Sequence, residues 1–466
     1  MGPSLYAKLT EALQHDAPAS IRLNPFKPII SEQGQAHDAA IRQASRVPWC
    51  DTGLILPTRP NFTFDPLLHA GLYYVQESSS MFVSEVLRQL VHEPVMMLDL
   101  CASPGGKTTA VRAALPAGSL LFTNEPVKIR ASILAENVQK FGHPDVIVTN
   151  NYPRDYRKAG QIFDIILADV PCSGEGMFRK DAGAVSEWSL QNVEKCQALQ
   201  RSIVEDIWPC LRDGGLLVYS TCTFNARENE ENVSWIARNL GADFVELETS
   251  DEWNITGSLV DSHPVYHFIP GLTSGEGLFM AVLRKHGEDA NVLKEARTTA
   301  VKGAERKRHK GRERGTSHAA DTAQTTAWLQ GDFTLMDEKG CIRAIPTWWA
   351  PVYNRVKTSL HAIHAGVTAG NIKGHDVVPD TALALSTALN TSAFPHAELE
   401  YTDALNYLRK EAVTLDGSVP TGFVIVTYRH QPLGFVKNIG NRANNLYPQE
   451  WKIKTSHLPD HDTYII

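Results

Sequence analysis

The sequence predicts an α/β protein built on a doubly wound, mostly parallel sheet, a Rossmann-like core with an antiparallel edge strand. That prediction rests on three features. From residue 95, apolar runs of four to eight residues alternate with helical patterns, as in sheets whose two faces are covered by helices. A glycine-rich turn, Cys101-Ala102-Ser103-Pro104-Gly105-Gly106-Lys107, follows the first run. Two later runs end in Asp169-Val170-Pro171-Cys172 and Ser220-Thr221-Cys222, and open parallel sheets build their sites at such strand ends.

The elements follow in order. Val95 to Leu100 reads as a buried strand and Lys107 to Leu115 as a helix. Ser119 to Thr123 is a second strand, followed by a helix from Lys128 to Phe141. Val146 to Thr149 and Phe163 to Val170 are the third and fourth strands. A long helical pattern runs from Ser189 to about Leu211, where Asp213-Gly214-Gly215 ends it. Gly215 to Ser220 is the next strand and Arg227 to Leu240 a capped helix. Phe244 to Leu247 and Leu278 to Leu283 are close enough to predict the antiparallel edge.

With 466 residues the chain is too long for one ordinary core. Residues 1–90 mix short helices with turns and read as a small α+β region; 91–286 hold the alternating core. Residues 287–326 are polar and basic and read as a linker. A small intermediate domain, 327–392, precedes a β-rich module, 393–466. Trp348 and Trp349 are expected in the intermediate domain's own core; with Arg355 and Lys357 they form an alternative, RNA-holding patch.

The apolar fraction of 43% is that of a globular chain, with no stretch of membrane-spanning length, and a cytoplasmic location is expected. Seven irregularly spaced cysteines without a CxxC pair argue against a zinc cluster or a disulfide framework. Cys50, Cys196, Cys210 and Cys341 read as small buried side chains. A net charge of −7 does not advertise nucleic-acid binding, but phosphate contact needs only a local basic surface. The run Lys302, Arg306, Lys307, Arg308, Lys310, Arg312 and Arg314 reads as a solvated linker, compatible with a flexible arm on RNA.

The glycine-rich turn comes close to a P-loop and departs from it. A P-loop needs a glycine four residues ahead of the final Gly-Lys-Thr, where this chain has Cys101. Pro104 also removes one amide donor from the cradle. Glu125 ends the second strand about twenty residues on, where an acid accepts hydrogen bonds from ribose hydroxyls. A turn plus that acid, without GxGxxG, fits S-adenosylmethionine best.

Two thiols at strand ends beside a methyl donor point to chemistry on a pyrimidine. Carbon 5 of cytosine is a poor nucleophile, and a thiolate adding to carbon 6 turns the ring into an enamine that accepts a methyl group. A second polar group then assists expulsion of the thiol. Asp169 stands where its carboxyl can hold a flipped base. Either Cys172 or Cys222 fits the nucleophile on these grounds.

At four segments the chain resembles the NOL1/NOP2/Sun family of RNA cytosine-5 methyltransferases. They are Tyr74-Val75-Gln76-Glu77-Ser78-Ser79-Ser80-Met81, the stretch Asp99 to Thr108, Asp169 to Gly176, and Tyr219-Ser220-Thr221-Cys222-Thr223, with Ser20 to Asn24 as a weaker extension. The resemblance implies that Cys222 attacks and Cys172 assists release. It also implies cofactor contacts from Cys101, Ala102, Ser103, Pro104, Gly105, Gly106, Lys107, Glu125 and Asp169. Where the family carries an aspartate near the adenine, this chain reads Thr149-Asn150-Asn151-Tyr152, and Asn151 offers an amide oxygen instead. The tail, Leu433 to Lys437 and Asn444 to Pro448, is similar to the PUA-like end of the RsmF group. The expected partner is therefore small-subunit (16S) ribosomal RNA, met by a monomer without a metal, with residues 1–90 and the PUA-like module placing the RNA. A transfer RNA substrate and a non-catalytic ribosome-assembly factor are the alternatives.

Overall fold

The computed structural model describes residues 1–29, 40–287, 324–374, 376–455, 458–459, 463 and 465–466. The basic run at 302–314 lies outside them, as does most of the expected linker. No helix among the described residues is long and apolar enough to cross a membrane.

The N-terminal region forms a four-stranded sheet of β1 (Ala19–Leu23), β2 (Ser45–Val47), β3 (Cys50–Leu56) and β4 (Tyr73–Val75), in the order β2-β3-β1-β4. The central sheet follows with β5 (Met96–Asp99), β6 (Leu120–Asn124), β7 (Val146–Thr149), β8 (Phe163–Asp169), β9 (Leu211–Thr221), β10 (Ala242–Phe244), β11 (Val265–Phe268) and β12 (Leu278–Lys285). β9, β8, β5, β6 and β7 are adjacent and parallel in that order, and β12 lies antiparallel against β9. β5 to β8 carry almost wholly buried residues, as expected of parallel strands covered on both faces. The order reverses between β5 and β6 on one side and β8 and β9 on the other, which opens a crevice at the strands' carboxyl ends.

Several expected boundaries move. The helix Lys128–Phe141 and strand Val146–Thr149 stand as predicted. The long helix is Leu190–Ile207 and stops at a short 3₁₀ turn containing Pro209, a residue that cannot donate to the helical ladder. β9 begins at Leu211, before the Asp213-Gly214-Gly215 turn signal. The expected capped helix starts later, at Glu230, and ends in a wider π turn, Ala237–Gly241. β10 pairs as Ala242–Phe244 and not as Phe244–Leu247, and β11 was not foreseen. The antiparallel β12 is flanked by β10 and β11, so it is not itself the edge.

Downstream, β13 (Phe333–Glu338), β14 (Cys341–Pro346), β15 (Ala362–Ala365), β16 (Val367–Lys373) and β17 (Asp376–Pro379) are formed. β13, β14, β16 and β17 make a sheet of their own, whereas β15 pairs antiparallel with β7 and extends the central sheet. Trp349 is fully buried with Ile147, Tyr156 and Leu360, and its indole N–H donates to Asp145 at 2.9 Å. It therefore belongs to the core shared with the central sheet, not to a core of the small module alone. The last module has β18 (His396–Glu398), β19 (Gly422–Tyr428), β20 (Gln431–Asn438) and β21 (Ala443–Asn445), and packs on the N-terminal sheet through one apolar cluster that includes Ile21, Leu67, Tyr407 and Val436.

Candidate active site

The glycine-rich turn leaves β5 and is pinned on both sides. Leu100 N–H donates to Leu167 O and Ala102 N–H to Asn124 O, each at 2.9 Å. Ser103 Oγ donates to Arg130 O at 3.0 Å, and Asn137 Nδ2 to Pro104 O at 2.8 Å. Gly105 has φ +114°, and a Cβ there would stand 3.3 Å from Leu134 Cδ1. Only glycine adopts that backbone freely, so the turn stays open to a ligand.

Acidic groups surround this turn. Asp99 is fully buried; Thr108 donates to its Oδ2 at 2.6 Å, and its Oδ1 has no partner among the described residues. Burial pushes its carboxyl up to about 7. Glu125, 2% exposed, accepts from Val127 N–H at 2.9 Å and faces Arg130 at 3.4 Å. S-adenosylmethionine carries a cationic sulfonium and ammonium, and an orphaned buried carboxylate oxygen beside an open glycine turn fits it. The turn residues Cys101 to Lys107, with Asp99 and Glu125, are the groups that could hold it.

Asn124, which sequence reasoning passed over, ties three strand ends together. Its Nδ2 donates to Leu100 O and Asn151 O, and its Oδ1 accepts from Asn151 N–H. Its place between a buried strand and Glu125 was the available signal. Asn151 has a task not expected from its sequence. Its amide nitrogen donates to His361 O at 3.3 Å and its oxygen accepts from His361 N–H at 3.2 Å, so it clasps the segment leading into β15. One lone pair of that oxygen is left for a ligand.

The two thiols meet. β8 and β9 are parallel with Asp169 beside Ser220, so the segments that follow leave the same edge. Cys172 Sγ lies 3.2 Å from Cys222 Sγ, a hydrogen-bonding distance between free thiols. Asp169 stands beside them, accepting from Lys107 Nζ at 2.9 Å and Ser220 Oγ at 2.7 Å. Both carboxylate oxygens are thus engaged as acceptors, and the lone pairs they retain can accept from a base's exocyclic amine.

The pair is electrostatically unequal. The hydrogen bond from Cys172 draws the Cys222 thiol below its ordinary range; burial and Asp169 oppose this, and Lys107 adds to it. That same hydrogen bond, with burial and the nearby Glu228, pushes Cys172 well above the ordinary thiol range. Burial disfavours charge on Lys107, but Asp169 outweighs it and the ammonium titrates above its usual range. Both shifts favour charge on Cys222 over charge on Cys172.

Buried carboxylates fix the loops that carry them. Glu228, fully buried, accepts from Ser173 N–H at 3.0 Å, Gln200 Nε2 at 2.6 Å and Asn225 Nδ2 at 2.8 Å. Glu175 accepts from Phe224 N–H at 2.7 Å and Trp188 Nε1 at 3.0 Å. Gly176 N–H donates to Cys222 O at 2.7 Å, and a Cβ at 176 would strike that oxygen. Within the Tyr74–Met81 segment, Glu77 accepts from the Ser79 and Glu276 N–H groups.

Comparison with known proteins gives the family. Residues 87–284 match the family described as 16S rRNA methyltransferase RsmB/F. Residues 1–78 match the N-terminal domain of 16S rRNA methyltransferase RsmF, and 394–453 the methyltransferase RsmF PUA domain. The chain is 31% identical over 446 residues to ribosomal RNA small subunit methyltransferase F of Escherichia coli (strain K12), covering 94% of this chain and 91% of that protein. The same protein of Shigella sonnei matches equally. Among solved structures, PH0851 aligns with TM-score 0.53 and 23% identity over 61% of this chain and 63% of that one. NSun6 from Pyrococcus horikoshii, solved with SFG, aligns with TM-score 0.51 and 21% identity over 62% of this chain and 96% of that one; both likenesses show the fold. The chain belongs to the RsmB/F family of 16S rRNA methyltransferases, enzymes dependent on S-adenosylmethionine.

Proposed function

We propose that this enzyme methylates carbon 5 of a cytosine in small-subunit ribosomal RNA, through a covalent bond between Cys222 and the base. One observation carries the reading: two free thiols 3.2 Å apart, with the Lys107–Asp169 pair beside them. The target base leaves its stack to reach them. The Cys222 thiolate adds to carbon 6, and the electron pair released into the ring makes carbon 5 nucleophilic. S-adenosylmethionine, held by the 101–107 turn, Asp99 and Glu125, supplies an electrophilic methyl group when bound. As the carbon 6–sulfur bond breaks, its electron pair returns to Cys222, Cys172 gives that sulfur its proton, and the carbon 5 proton passes to Cys172 in exchange. Asp169 accepts from the exocyclic amine, and the remaining lone pair of the Asn151 amide oxygen would accept from the adenine. The enzyme acts as a cytoplasmic monomer, its N-terminal region and PUA domain holding the RNA.

Incubation with substrate RNA and S-adenosylmethionine, followed by a denaturing gel, tests this. Cys172→Ala is expected to accumulate a covalent protein–RNA adduct, and Cys222→Ala to form neither adduct nor 5-methylcytosine. An adduct formed by Cys222→Ala overturns the assignment. Bisulfite sequencing of ribosomal RNA from cells lacking the enzyme identifies the cytosine.

A further inference from the structure

Outside the thiol site, a cavity of about 220 Å³ opens between the N-terminal sheet and the helix Lys128–Phe141. Two of its walls carry orphaned polar atoms. Arg22, 1% exposed, donates from Nε to Gln76 at 2.8 Å and from Nη2 to Thr109 at 2.5 Å, while Nη1 has no acceptor among the described residues. His69, 8% exposed, bonds through Nε2 to Thr63 O at 2.9 Å, and its Nδ1 has no partner among the described residues. Because a carbonyl only accepts, Nε2 carries the proton and Nδ1 is a bare acceptor. Burial, with Lys140 nearby, lowers this imidazole to about 3 and keeps it neutral.

The surroundings call for an anion. No carboxylate pairs with Arg22 among the described residues; its bonds go to a neutral amide and a hydroxyl. Thr109 lies in the first turn of the helix Gly106–Ala114, whose amino-terminal end adds positive potential. Lys140, paired with Glu136 at 2.6 Å, also lines the cavity. A buried guanidinium nitrogen without an acceptor is costly unless a ligand supplies one. The bare His69 nitrogen adds a second demand, for a hydroxyl donor close to that anion. A ribose-phosphate unit meets both, since the 2′-hydroxyl adjoins a phosphate and is what marks RNA.

The cavity also touches the turn that serves the active site. Asn137, in its wall, donates to Pro104 O, and a Cβ at Gly106 would meet the ring of Tyr74, another wall residue, at 3.3 Å. We propose that this cavity takes one ribose-phosphate unit of the RNA substrate, with Arg22 Nη1 donating to a phosphate oxygen and His69 Nδ1 accepting from a 2′-hydroxyl. The proposal rests on the reading of RNA as substrate and adds a backbone subsite to it.

The test uses the full chain and a synthetic 16S ribosomal RNA fragment that the enzyme methylates. Single phosphates are replaced by methylphosphonate and single riboses by 2′-deoxyribose along the fragment. Wild-type enzyme should lose roughly tenfold in affinity at one phosphate and about fivefold at an adjoining 2′ position. Arg22→Gln should lose the first sensitivity and His69→Phe the second, with S-adenosylmethionine affinity retained; the buried hydrogen bonds each loses lower its melting temperature without removing the other sensitivity. A wild-type enzyme indifferent to every single replacement overturns the proposal, as do variants that keep the wild-type pattern. If a variant does not fold, the wild-type scan alone decides between these outcomes. Inorganic phosphate is added separately: if it raises the melting temperature of wild type but not of Arg22→Gln, while RNA sensitivities are unchanged, the ligand is free phosphate and the RNA subsite is wrong. The Cys172→Ala adduct on the same fragment reports on the methylation reading independently.

Discussion

Three cysteines leave the same edge of the central sheet, after β5, β8 and β9, yet their thiols face opposite conditions. Cys101 lies among carboxylates: burial and then Asp169, Asp99 and Glu125 push its thiol far above the ordinary range, and Arg130 opposes this weakly. Cys222 accepts a hydrogen bond from Cys172 and feels Lys107, and is drawn down. All three sit at strand ends, so position in the fold does not make a nucleophile. The neighbouring charges do. The acids that silence Cys101 suit a cationic cofactor, while the thiol and ammonium beside Cys222 suit attack on a neutral ring.

The largest expected effect separates these cysteines directly. Cys222→Ala should reduce methylation by at least about 10⁴-fold, whereas Cys101→Ala should keep turnover within about threefold of wild type; single-turnover assays with labelled cofactor check both. A comparable loss at Cys101 would break the contrast. Next, Cys172→Ala should slow multiple turnover by about 10²-fold while leaving the first covalent step intact, seen as a burst of adduct without matching release.

Lys107→Met should slow adduct formation about 10²-fold, since it removes both the cation that stabilises the thiolate and a partner of Asp169. Its pH profile sharpens the point. The active form is the thiolate, whose acidity is raised in wild type, so activity should fall as pH drops through a value below that of an ordinary thiol. In Lys107→Met and in Cys172→Ala this acid limb should move to higher pH, because each loses a group that lowers the Cys222 thiol. The limb belongs to the coupled pair and is read as one apparent value. An unshifted limb in both variants would falsify the electrostatic account. The smallest effect is at Glu228: Glu228→Gln keeps the shape but loses charge-assisted hydrogen bonds, and should lower stability by about 1–3 kcal/mol in denaturant titration. Its loss should also make Cys172 easier to deprotonate.

Much of the catalytic sheet was readable because its signals are local. Apolar runs and helical spacing placed β5 to β8 within a residue or two, and Lys128–Phe141 to the residue. The turn at 101–107 and the two thiol segments were visible for the same reason. β15 was not, since its pairing joins residues some 210 positions apart through backbone groups that any sequence supplies. Trp349 was assigned to the wrong core because hydrophobicity says that a side chain is buried but not against which element. Asn151 follows β7, and its clasp on His361 was not visible either, because that contact too spans distant backbone groups.

By itself, the sequence determined the order of strands and helices, the open glycine turn and the presence of two thiols at strand ends. These depend on residue type and short-range periodicity, which are written along the chain. Only the tertiary structure decided which charges surround each thiol, by bringing Lys107 and Glu228 to the Cys172–Cys222 pair from separate segments. Electrostatic energy depends on distance through space, and no pattern along the chain encodes that distance.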